Sequence, residues 1–543
     1  MKRTCSLISW ILALTLALSI FVSATADAEI DFSEYEYDPD TTYTITWYVN
    51  EPNAPTPDDA PVKRLLEERF NVKFELMYVD RANRDEILNT RIVAGEFPDV
   101  LTASDPALCQ EYYKQGLTAE LPIELIRHFM PVIAKNIDDI AEQEGFSPYL
   151  YTGYEGKNIG LPNFNYDGQY HYTSLFRRDW LDALGIEKTP ETIEELDEAF
   201  HLLLENKQAL IDAGLTRQSP ENIYGLSSGR IKEPFASIYG AYGSLPYYWE
   251  LAEDGESVQY GAIQPGMKDA LAQLASWYEE GILNPEYITG ENRGDHWSIS
   301  HDFVEGRILY TNNGPFYQDM PAGISQNTRK GGKMYKAYVA AGNDPASYEL
   351  GRPPIGPDGD SGSVMWGLTT GGSTVFSKRL LEDKPKFGRI LSMIEETCTT
   401  PEYHELFYYG IEGEHFTRDE NGNCVPKTPE EVPVETYGMS MVFIGWTEGL
   451  GLGVADDPGF YEFGDKYAHF SNEYKDLLLG MSMPSSDIYW DDLEKMRVQA
   501  YNDIIQGIKP IDSFDTFVEE WLEAGGRVIT EEANEWYQSA RSA

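Results

Sequence analysis

Two glutamates and a histidine lie within four consecutive residues of the segment 408–417, which reads YYGIEGEHFT. Carboxylates beside an imidazole are the side chains that general acid–base catalysis uses. Because the segment also holds two glycines and two tyrosines, it could instead form a stiff corner that presents aromatic and carboxylate groups to a ligand. The rest of the sequence is needed to choose between these two interpretations.

The sequence patterns of hydrolases and nucleotide-binding proteins are incomplete. His404-Glu405 is not followed by a second histidine at the spacing of a zinc-protease helix, and no GxSxG nucleophile turn occurs. The segment 151–158, YTGYEGKN, has Tyr151 and Asn158 where a phosphate-binding loop needs glycine and then serine or threonine. We therefore predict that the protein is not an enzyme and that it carries no nucleotide cofactor.

A calcium site is also disfavoured. The segment 419–423, DENGN, lacks the spaced oxygen ligands and the distal glutamate of a calcium loop. Asn421-Gly422 is instead typical of a two-residue hairpin turn, because both residues tolerate a positive φ. We therefore predict no metal site.

Aromatic residues offer the clearer functional signal, since they make up 13% of the chain, with 36 tyrosines and 11 tryptophans. An aromatic face stacks on the apolar C–H patches of a sugar ring while nearby polar groups bind its hydroxyls. Core packing is an equal alternative for any single one of them. Those in segments rich in glycine, proline or asparagine are Trp47-Tyr48, Tyr247-Tyr248-Trp249, Phe316-Tyr317, Trp366 and Trp446.

Length and charge limit the class of protein. The chain has 543 residues, too many for one hydrophobic core, so two large lobes are expected. Its formal net charge of −48 repels nucleic acid and anionic membrane surfaces. We expect neither as a partner.

The N-terminus has the organisation of an export signal. Lys2 and Arg3 precede an apolar run at 8–22, and small residues follow it, which predicts a signal peptide over residues 1–28. No cysteine follows the apolar run in the position of a lipid anchor. The mature protein is expected outside the cytoplasmic membrane, either periplasmic or associated with the cell surface. Cys398 and Cys424 could pair or remain free thiols.

The periodicity of apolar residues predicts an α/β arrangement. In TYTITWYVN, Tyr43, Ile45, Trp47 and Val49 alternate as in a strand, and PVKRLLEERF has a helical stripe. Further strand, helix and strand patterns follow up to residue 103, which indicates a largely parallel sheet. A second lobe begins near Asp167, with a strand running into a helix in TSLFRRDWL and later helical segments.

Seven segments in order, GEFPDV, EGKNIGLP, RRDWLDALGI, WYEEGILNPEY, FVEGRILYTNNGPF, PPIGPDG and YYGIEGEHFT, carry a family resemblance. Together they resemble the extracellular solute-binding proteins (family 1 type) of carbohydrate ABC importers, in the large oligosaccharide-binding branch. The resemblance implies a two-lobe periplasmic-binding-protein-like fold (type II), with hinge-linked lobes and a cleft between them. Unlike some relatives, this chain lacks the ligand series of a calcium loop after DWLDALGI, so no such metal is expected.

The resemblance also implies how the chain divides between the lobes. After the signal peptide (1–28), residues 29–163 form the first part of lobe 1 and 164–350 the first part of lobe 2. Residues 351–428 return to lobe 1, and 429–543 complete lobe 2. The first crossing falls at IGLPNFN.

Candidate ligand contacts combine the aromatic residues in loops with positions that the resemblance implies. Phe316 ends the NNGPF segment, where a relative has a sugar-stacking aromatic residue, and the GIEG corner is expected to line or brace the cleft. The predicted ligand-binding residues are Tyr48, Asn50, Asn163, Arg177, Trp249, Asn313, Phe316, Trp366, Glu412 and Trp446.

The resulting hypothesis is a monomeric binding protein that captures a neutral oligosaccharide and delivers it to the permease of an ABC importer by lobe closure. The alternatives are an extracellular glycoside hydrolase, or the same fold binding a peptide or another non-sugar solute. A neutral ligand is favoured because a uronate chain would need several unpaired cations, and Arg177 and Arg178 have many acidic neighbours in sequence.

Overall fold

The computed structural model describes residues 30–50, 57–79, 84–229, 232–252, 254–288, 299–325, 331–420, 422, 424–427, 432, 457–469, 472 and 474–541. The predicted signal peptide and Trp446 lie outside the described residues. Strands of three or more residues are β1 (Tyr43–Asn50), β2 (Val72–Val79), β3 (Val100–Ala103), β4 (Leu161–Phe164), β5 (Ser174–Arg177), β6 (Tyr224–Leu226), β7 (Trp249–Leu251), β8 (Val258–Tyr260), β9 (Ile308–Thr311), β10 (Tyr348–Gly351), β11 (Thr369–Phe376), β12 (Phe416–Arg418) and β13 (Cys424–Pro426).

The α-helices follow the same numbering along the chain. They are α1 (Pro61–Phe70), α2 (Arg84–Val93), α3 (Pro106–Lys114), α4 (Ile123–Phe129), α5 (Pro131–Glu144), α6 (Arg178–Ala183), α7 (Ile193–Asp212), α8 (Ala236–Gly240), α9 (Gly266–Glu279), α10 (His301–Val304), α11 (Phe316–Asp319), α12 (Lys333–Ala340), α13 (Lys384–Thr399), α14 (Pro401–Tyr409), α15 (Pro458–Tyr467), α16 (Ser486–Ile505), α17 (Ser513–Trp521) and α18 (Arg527–Arg541).

Lobe 1 is built on a five-stranded sheet in the order β2-β1-β3-β11-β4. β1 runs parallel to β2 and β3, whereas β11 is antiparallel to both β3 and β4. Helices cover the sheet, and α1 begins with Pro61 because its missing N–H would have had no partner in the first helical turn. The predicted α/β lobe with a largely parallel sheet is confirmed.

Lobe 2 contains a four-stranded sheet in the order β10-β5-β9-β6. β9 is parallel to β6 and antiparallel to β5. The N-cap of α7 is Thr192, whose hydroxyl accepts the Glu195 N–H at 3.1 Å, as the sequence predicts. Helices α16 to α18 pack into the same hydrophobic core as α7 and α9, so the C-terminal segment completes this lobe.

Three segments run side by side where the two lobes meet. We call residues 165–173 the first, 352–368 the second and 468–478 the third crossing segment. Their hydrogen bonds are His171 N–H to Ala468 O (2.7 Å), Tyr172 N–H to Val364 O (3.1 Å), Gly367 N–H to Gly168 O (2.8 Å) and Met365 N–H to Tyr474 O (3.3 Å). The type II two-lobe fold expected from the sequence, with a hinge of crossing segments, is therefore present.

The β12–β13 hairpin differs from its sequence prediction, and the structure shows the state of two cysteines. Arg418 pairs with Cys424 across the β12–β13 hairpin, so its loop has five residues and is not the two-residue turn that Asn421-Gly422 suggested. Cys398 and Cys424 are buried free thiols. Within the described residues, no helix is long and apolar enough to cross a bilayer.

Candidate functional site

A cavity of about 540 Å³ opens between lobe 1 and the C-terminal part of lobe 2. Ala107, at the start of α3, contributes from lobe 1, and most other lining residues come from β7, α16 and the stretch between the third crossing segment and α16. We call this cavity the aromatic groove. It is lined by Ala107, Tyr247, Trp249, Asp476, Leu478, Gly480, Met481, Ser482, Met483, Ser486, Asp487, Trp490, Asp491, Glu494 and Ile529.

Aromatic rings form one wall of the groove. The ring centroids of Trp249 and Trp490 lie 5.9 Å apart with an angle of 31° between the planes. Tyr247 meets Tyr248 edge to face at 5.1 Å, which fixes the orientation of the Tyr247 ring at the groove. Trp490 is half-buried, so part of its indole faces the cavity. Of these rings, Tyr247 and Trp490 are partly exposed, as stacking against a sugar requires, whereas Trp249 is buried behind them.

The hydroxyl of Tyr247 is an unused polar group in this wall. It is buried, and among the described residues it has no hydrogen-bond partner. Burial raises the pKa of Tyr247 well above its usual value, so the phenol keeps its proton. A buried donor without a partner costs free energy unless a ligand or water satisfies it.

Carboxylates provide the polar part of the lining. Asp476 accepts the N–H groups of Trp249 (3.1 Å) and Leu478 (3.2 Å), which ties the third crossing segment to β7. Burial raises the pKa of Asp476 to about 6, although these backbone donors act in the opposite direction. None of the described residues that line the groove is a lysine or an arginine. The groove therefore combines aromatic faces with hydrogen-bond acceptors.

A second cavity of about 510 Å³ extends the groove along lobe 1. It shares Ala107, Ser482 and Asp487 with the aromatic groove and adds Ser104 and Asp105 at the carboxyl end of β3. In open α/β sheets, ligands bind outside the carboxyl ends of strands. The two cavities thus adjoin each other where the lobes meet.

Among the residues predicted from the sequence, Trp249 lies in the groove, although only 4% of its surface is exposed. Trp366 is half-buried in the second crossing segment and meets Tyr172 edge to face at 5.9 Å. Asn163, in β4, accepts the Thr374 hydroxyl at 3.1 Å through its side-chain oxygen. Trp366 and Asn163 thus lie at the hinge, and their ligand contacts stay predictions.

Other predicted residues are enclosed within the lobes. Tyr48 is buried in β1, and Asn313 is buried just after β9. Phe316 is 1% exposed and packs at 4.9 Å against Phe460. Asn50 ends β1, and its side chain lies outside what the structure describes. Phe316 therefore presents no free face for stacking in this conformation.

Arg177 is engaged within lobe 2. Its side chain is 2% exposed and donates two hydrogen bonds to Asp179, at 3.0 and 2.7 Å. The guanidinium also lies 5.2 Å from the ring centroid of Trp180 and 5.4 Å from that of Tyr338. These contacts support a structural role for this arginine within lobe 2, and its ligand contact stays a prediction.

The GIEG corner follows α14 and leads into β12. Its exposed Glu412 accepts a hydrogen bond from Arg418 at 3.1 Å, and the Ile411 N–H donates to His415 Nδ1 at 2.9 Å. His415 is 5% exposed, and burial lowers its pKa. Because the imidazole accepts a backbone hydrogen bond and the carboxylate is paired with an arginine, the segment that opened the sequence analysis is a structural corner.

Sequence reasoning missed Trp490, which the fold brings beside Trp249. One signal was present: Trp490 follows the α16 start with acidic neighbours Asp487, Asp491 and Asp492, a polar setting in which a large aromatic residue is uncommon in a core. The described residues contain no cluster of histidine, cysteine and carboxylate side chains arranged to hold a metal.

Comparison with known proteins finds relatives that share the fold of this chain over most of its length. No protein-family model matches the chain. The chain is 21% identical over 518 residues, 93% of each protein, to the polygalacturonan/rhamnogalacturonan-binding protein YtcQ of Bacillus subtilis (strain 168). That relative is named as a binding protein.

Solved structures share the fold over most of the chain. The calcium-free alginate-binding protein AlgQ2 matches with a TM-score of 0.57 and 16% identity, over 92% of this chain and 98% of that one. The S. pneumoniae ABC-transporter substrate-binding protein FusA, in complex with kestose, matches with 0.59 and 17%, over 92% and 100%. The chain therefore has the two-lobed fold of ABC-transporter substrate-binding proteins.

Proposed function

We propose that the protein captures an oligosaccharide in the aromatic groove outside the cytoplasmic membrane and delivers it to the permease of an ABC importer. The observation that carries the proposal is the wall formed by Tyr247, Trp249 and Trp490 in a channel between two hinged lobes. A ligand that touches both lobes binds the closed state better and shifts the population toward it. The predicted lobe limits, 29–163 with 351–428 and 164–350 with 429–543, belong to this proposal.

A neutral sugar fits the described lining better than a charged one. Asp476, Asp487, Asp491 and Glu494 line the groove, and the described lining includes no cation. A uronate carboxylate placed there would face like charges at close range, which costs free energy. Neutral hydroxyls can instead donate hydrogen bonds to these carboxylates.

A uronate oligosaccharide is the second candidate ligand. The names of the relatives favour it, since YtcQ is called a polygalacturonan/rhamnogalacturonan-binding protein and AlgQ2 an alginate-binding protein. Uronate recognition would need cationic side chains, and Lys114, which lines the adjoining cavity, is one described candidate. Whether the protein prefers neutral or acidic oligosaccharides is therefore the specificity that a binding experiment should determine.

Titration calorimetry with the mature chain distinguishes the candidates. The panel consists of fructo-, xylo-, manno- and malto-oligosaccharides as neutral ligands, and oligogalacturonate and oligoalginate as acidic ligands. We expect binding of a neutral ligand with an affinity that changes little between low and high salt, because screening acts mainly on charged partners. Binding of uronates alone, weakened by salt, would overturn the neutral assignment while preserving the transport proposal.

Two further measurements address other classes of function. Release of reducing sugar from the same panel would indicate a glycoside hydrolase, and we expect none. A thermal shift with a peptide library and no shift with any glycan would indicate a non-sugar solute, because a ligand that binds the native state raises its melting temperature. The proposed monomeric state is checked by light scattering with and without ligand.

A further inference from the structure

Tyr260, at the end of β8, lies directly behind the aromatic groove. It is fully buried, and its ring centroid is 5.2 Å from that of Trp249 and 5.2 Å from that of Trp490. On its other side the ring stacks on Trp521 at 5.2 Å, with an angle of 13° between the planes. One buried ring thus supports both tryptophans of the groove wall against the core of lobe 2.

The hydroxyl of Tyr260 makes a second connection to the groove. It donates a short hydrogen bond to Glu494, whose side chain lines the groove and is 29% exposed. Glu494 is held from the other side by Arg497, at 2.8 Å from Nη2 to Oε2. Burial raises the pKa of Tyr260 well above its usual value, so the phenol keeps the proton that it donates.

Trp490 and Glu494 are one helical turn apart on α16, so they present neighbouring side chains on one face of that helix. We propose that Tyr260 is a positioning residue for ligand binding: it fixes the indole of Trp490 through its ring and the carboxylate of Glu494 through its hydroxyl. This inference rests on the proposed function, since it takes the groove as the ligand site. Tyr260 itself does not line the groove and does not touch the ligand.

The position of the hydroxyl supports a role beyond filling space. A phenylalanine could make the three ring contacts equally well, whereas only the phenol reaches Glu494. A hydrogen bond to a charged acceptor in a partly buried site is stronger than one between neutral groups. Its removal leaves the Glu494 carboxylate held by Arg497 alone, so the carboxylate is less restricted and ordering it on ligand binding costs more entropy.

The test substitution is Tyr260→Phe, which deletes the hydroxyl and keeps the ring. Its matched control is Tyr501→Phe, because Tyr501 is also buried in lobe 2 but donates to the Ala262 carbonyl, at 2.7 Å, and does not line the groove. We expect Tyr260→Phe to weaken binding about fivefold to tenfold and Tyr501→Phe to change it less than about twofold, at similar losses of melting temperature.

A double-mutant cycle with Glu494→Gln tests the route of the effect. If Tyr260 acts through Glu494, the loss of affinity from Glu494→Gln should be smaller in the Tyr260→Phe background than in the wild type. Additive losses, or unchanged affinity of Tyr260→Phe, would overturn the inference. Full loss of affinity with partial unfolding in both tyrosine variants would show a merely structural role.

A readout without ligand separates this inference from the proposed function. In protein labelled with 5-fluorotryptophan, the ¹⁹F resonance of Trp490 is assigned by its absence in Trp490→Phe. We expect Tyr260→Phe to shift or broaden it and Tyr501→Phe to leave it unchanged. If the wild type binds no glycan, the proposed function fails; if the resonance is unaffected while the wild type binds, the positioning role fails.

Discussion

Gly168 and Gly367 touch where the first and second crossing segments meet. The Gly367 N–H donates to the Gly168 carbonyl at 2.8 Å, and a Cβ on Gly168 would lie 1.9 Å from the Gly367 carbonyl oxygen. No real Cβ approaches a backbone oxygen so closely, so these two segments can pair only because residue 168 has no side chain. The hinge of the molecule therefore depends on this contact.

Gly168→Ala is expected to separate the first and second crossing segments. The melting temperature should fall, and small-angle scattering should show less compaction on ligand addition because the hinge geometry is altered. The control is Gly153→Ala, since Gly153 has an extended backbone and a Cβ there would meet its nearest atom at an ordinary 3.4 Å. Equal behaviour of the two variants would contradict the hinge assignment.

Trp490→Ala is expected to weaken oligosaccharide binding tenfold or more, which corresponds to about 1.4 kcal/mol. The reason is the loss of a half-buried indole that faces the groove. Tyr278→Ala removes a half-buried ring packed on the same hydrophobic core without lining the groove and should leave affinity unchanged. Titration calorimetry measures the affinity of both variants. An unaltered affinity of Trp490→Ala would show that the ligand binds outside the aromatic groove.

Arg177→Met is expected to destabilise the protein by about 3–5 kcal/mol, because it leaves Asp179 without its buried partner. Arg178→Met is the control, since Asp182, its partner, is largely exposed and such pairs contribute about 0–1 kcal/mol. Urea unfolding measures both. A clear loss of affinity in Arg177→Met at unchanged stability would instead restore the ligand contact that the sequence suggested.

Asp319 should make stability fall as the pH rises. It is buried, it accepts the Thr173 hydroxyl at 2.6 Å, and burial raises its pKa to about 8. Because the native state holds this proton more tightly than the unfolded state, the stabilisation is complete below the unfolded pKa of about 4. It is lost as the pH rises through the folded value.

Asp319→Asn removes this titration while keeping a polar side chain. Its melting temperature should therefore change less between about pH 5 and about pH 9 than that of the wild type. The exposed Asp212→Asn should retain the wild-type dependence. A pH dependence that is the same in all three proteins would show that Asp319 does not contribute.

The sequence predicted the positions of helices and strands better than it predicted which of their residues are buried. α1 forms over the predicted PVKRLLEERF, and Val62, Leu66 and Phe70 of its stripe are buried, yet Leu65 is 43% exposed. In β1 the predicted inner face is largely buried, but Tyr48 on the other face is buried too. A strand between two neighbours and covered by helices on both sides buries both faces, which alternation alone does not reveal.

By itself, the sequence predicted the α/β elements and the two lobes, and it favoured an aromatic binding site over a catalytic one. These follow from local periodicity, from chain length and from the absence of complete catalytic motifs in the sequence. Only the tertiary structure decided which aromatic residues line the aromatic groove: it buried Phe316 and brought Trp490 to 5.9 Å from Trp249. The physical reason is that an indole or phenyl ring gains similar free energy from a core or from a groove. Its surroundings come from segments hundreds of residues away, which no local pattern encodes.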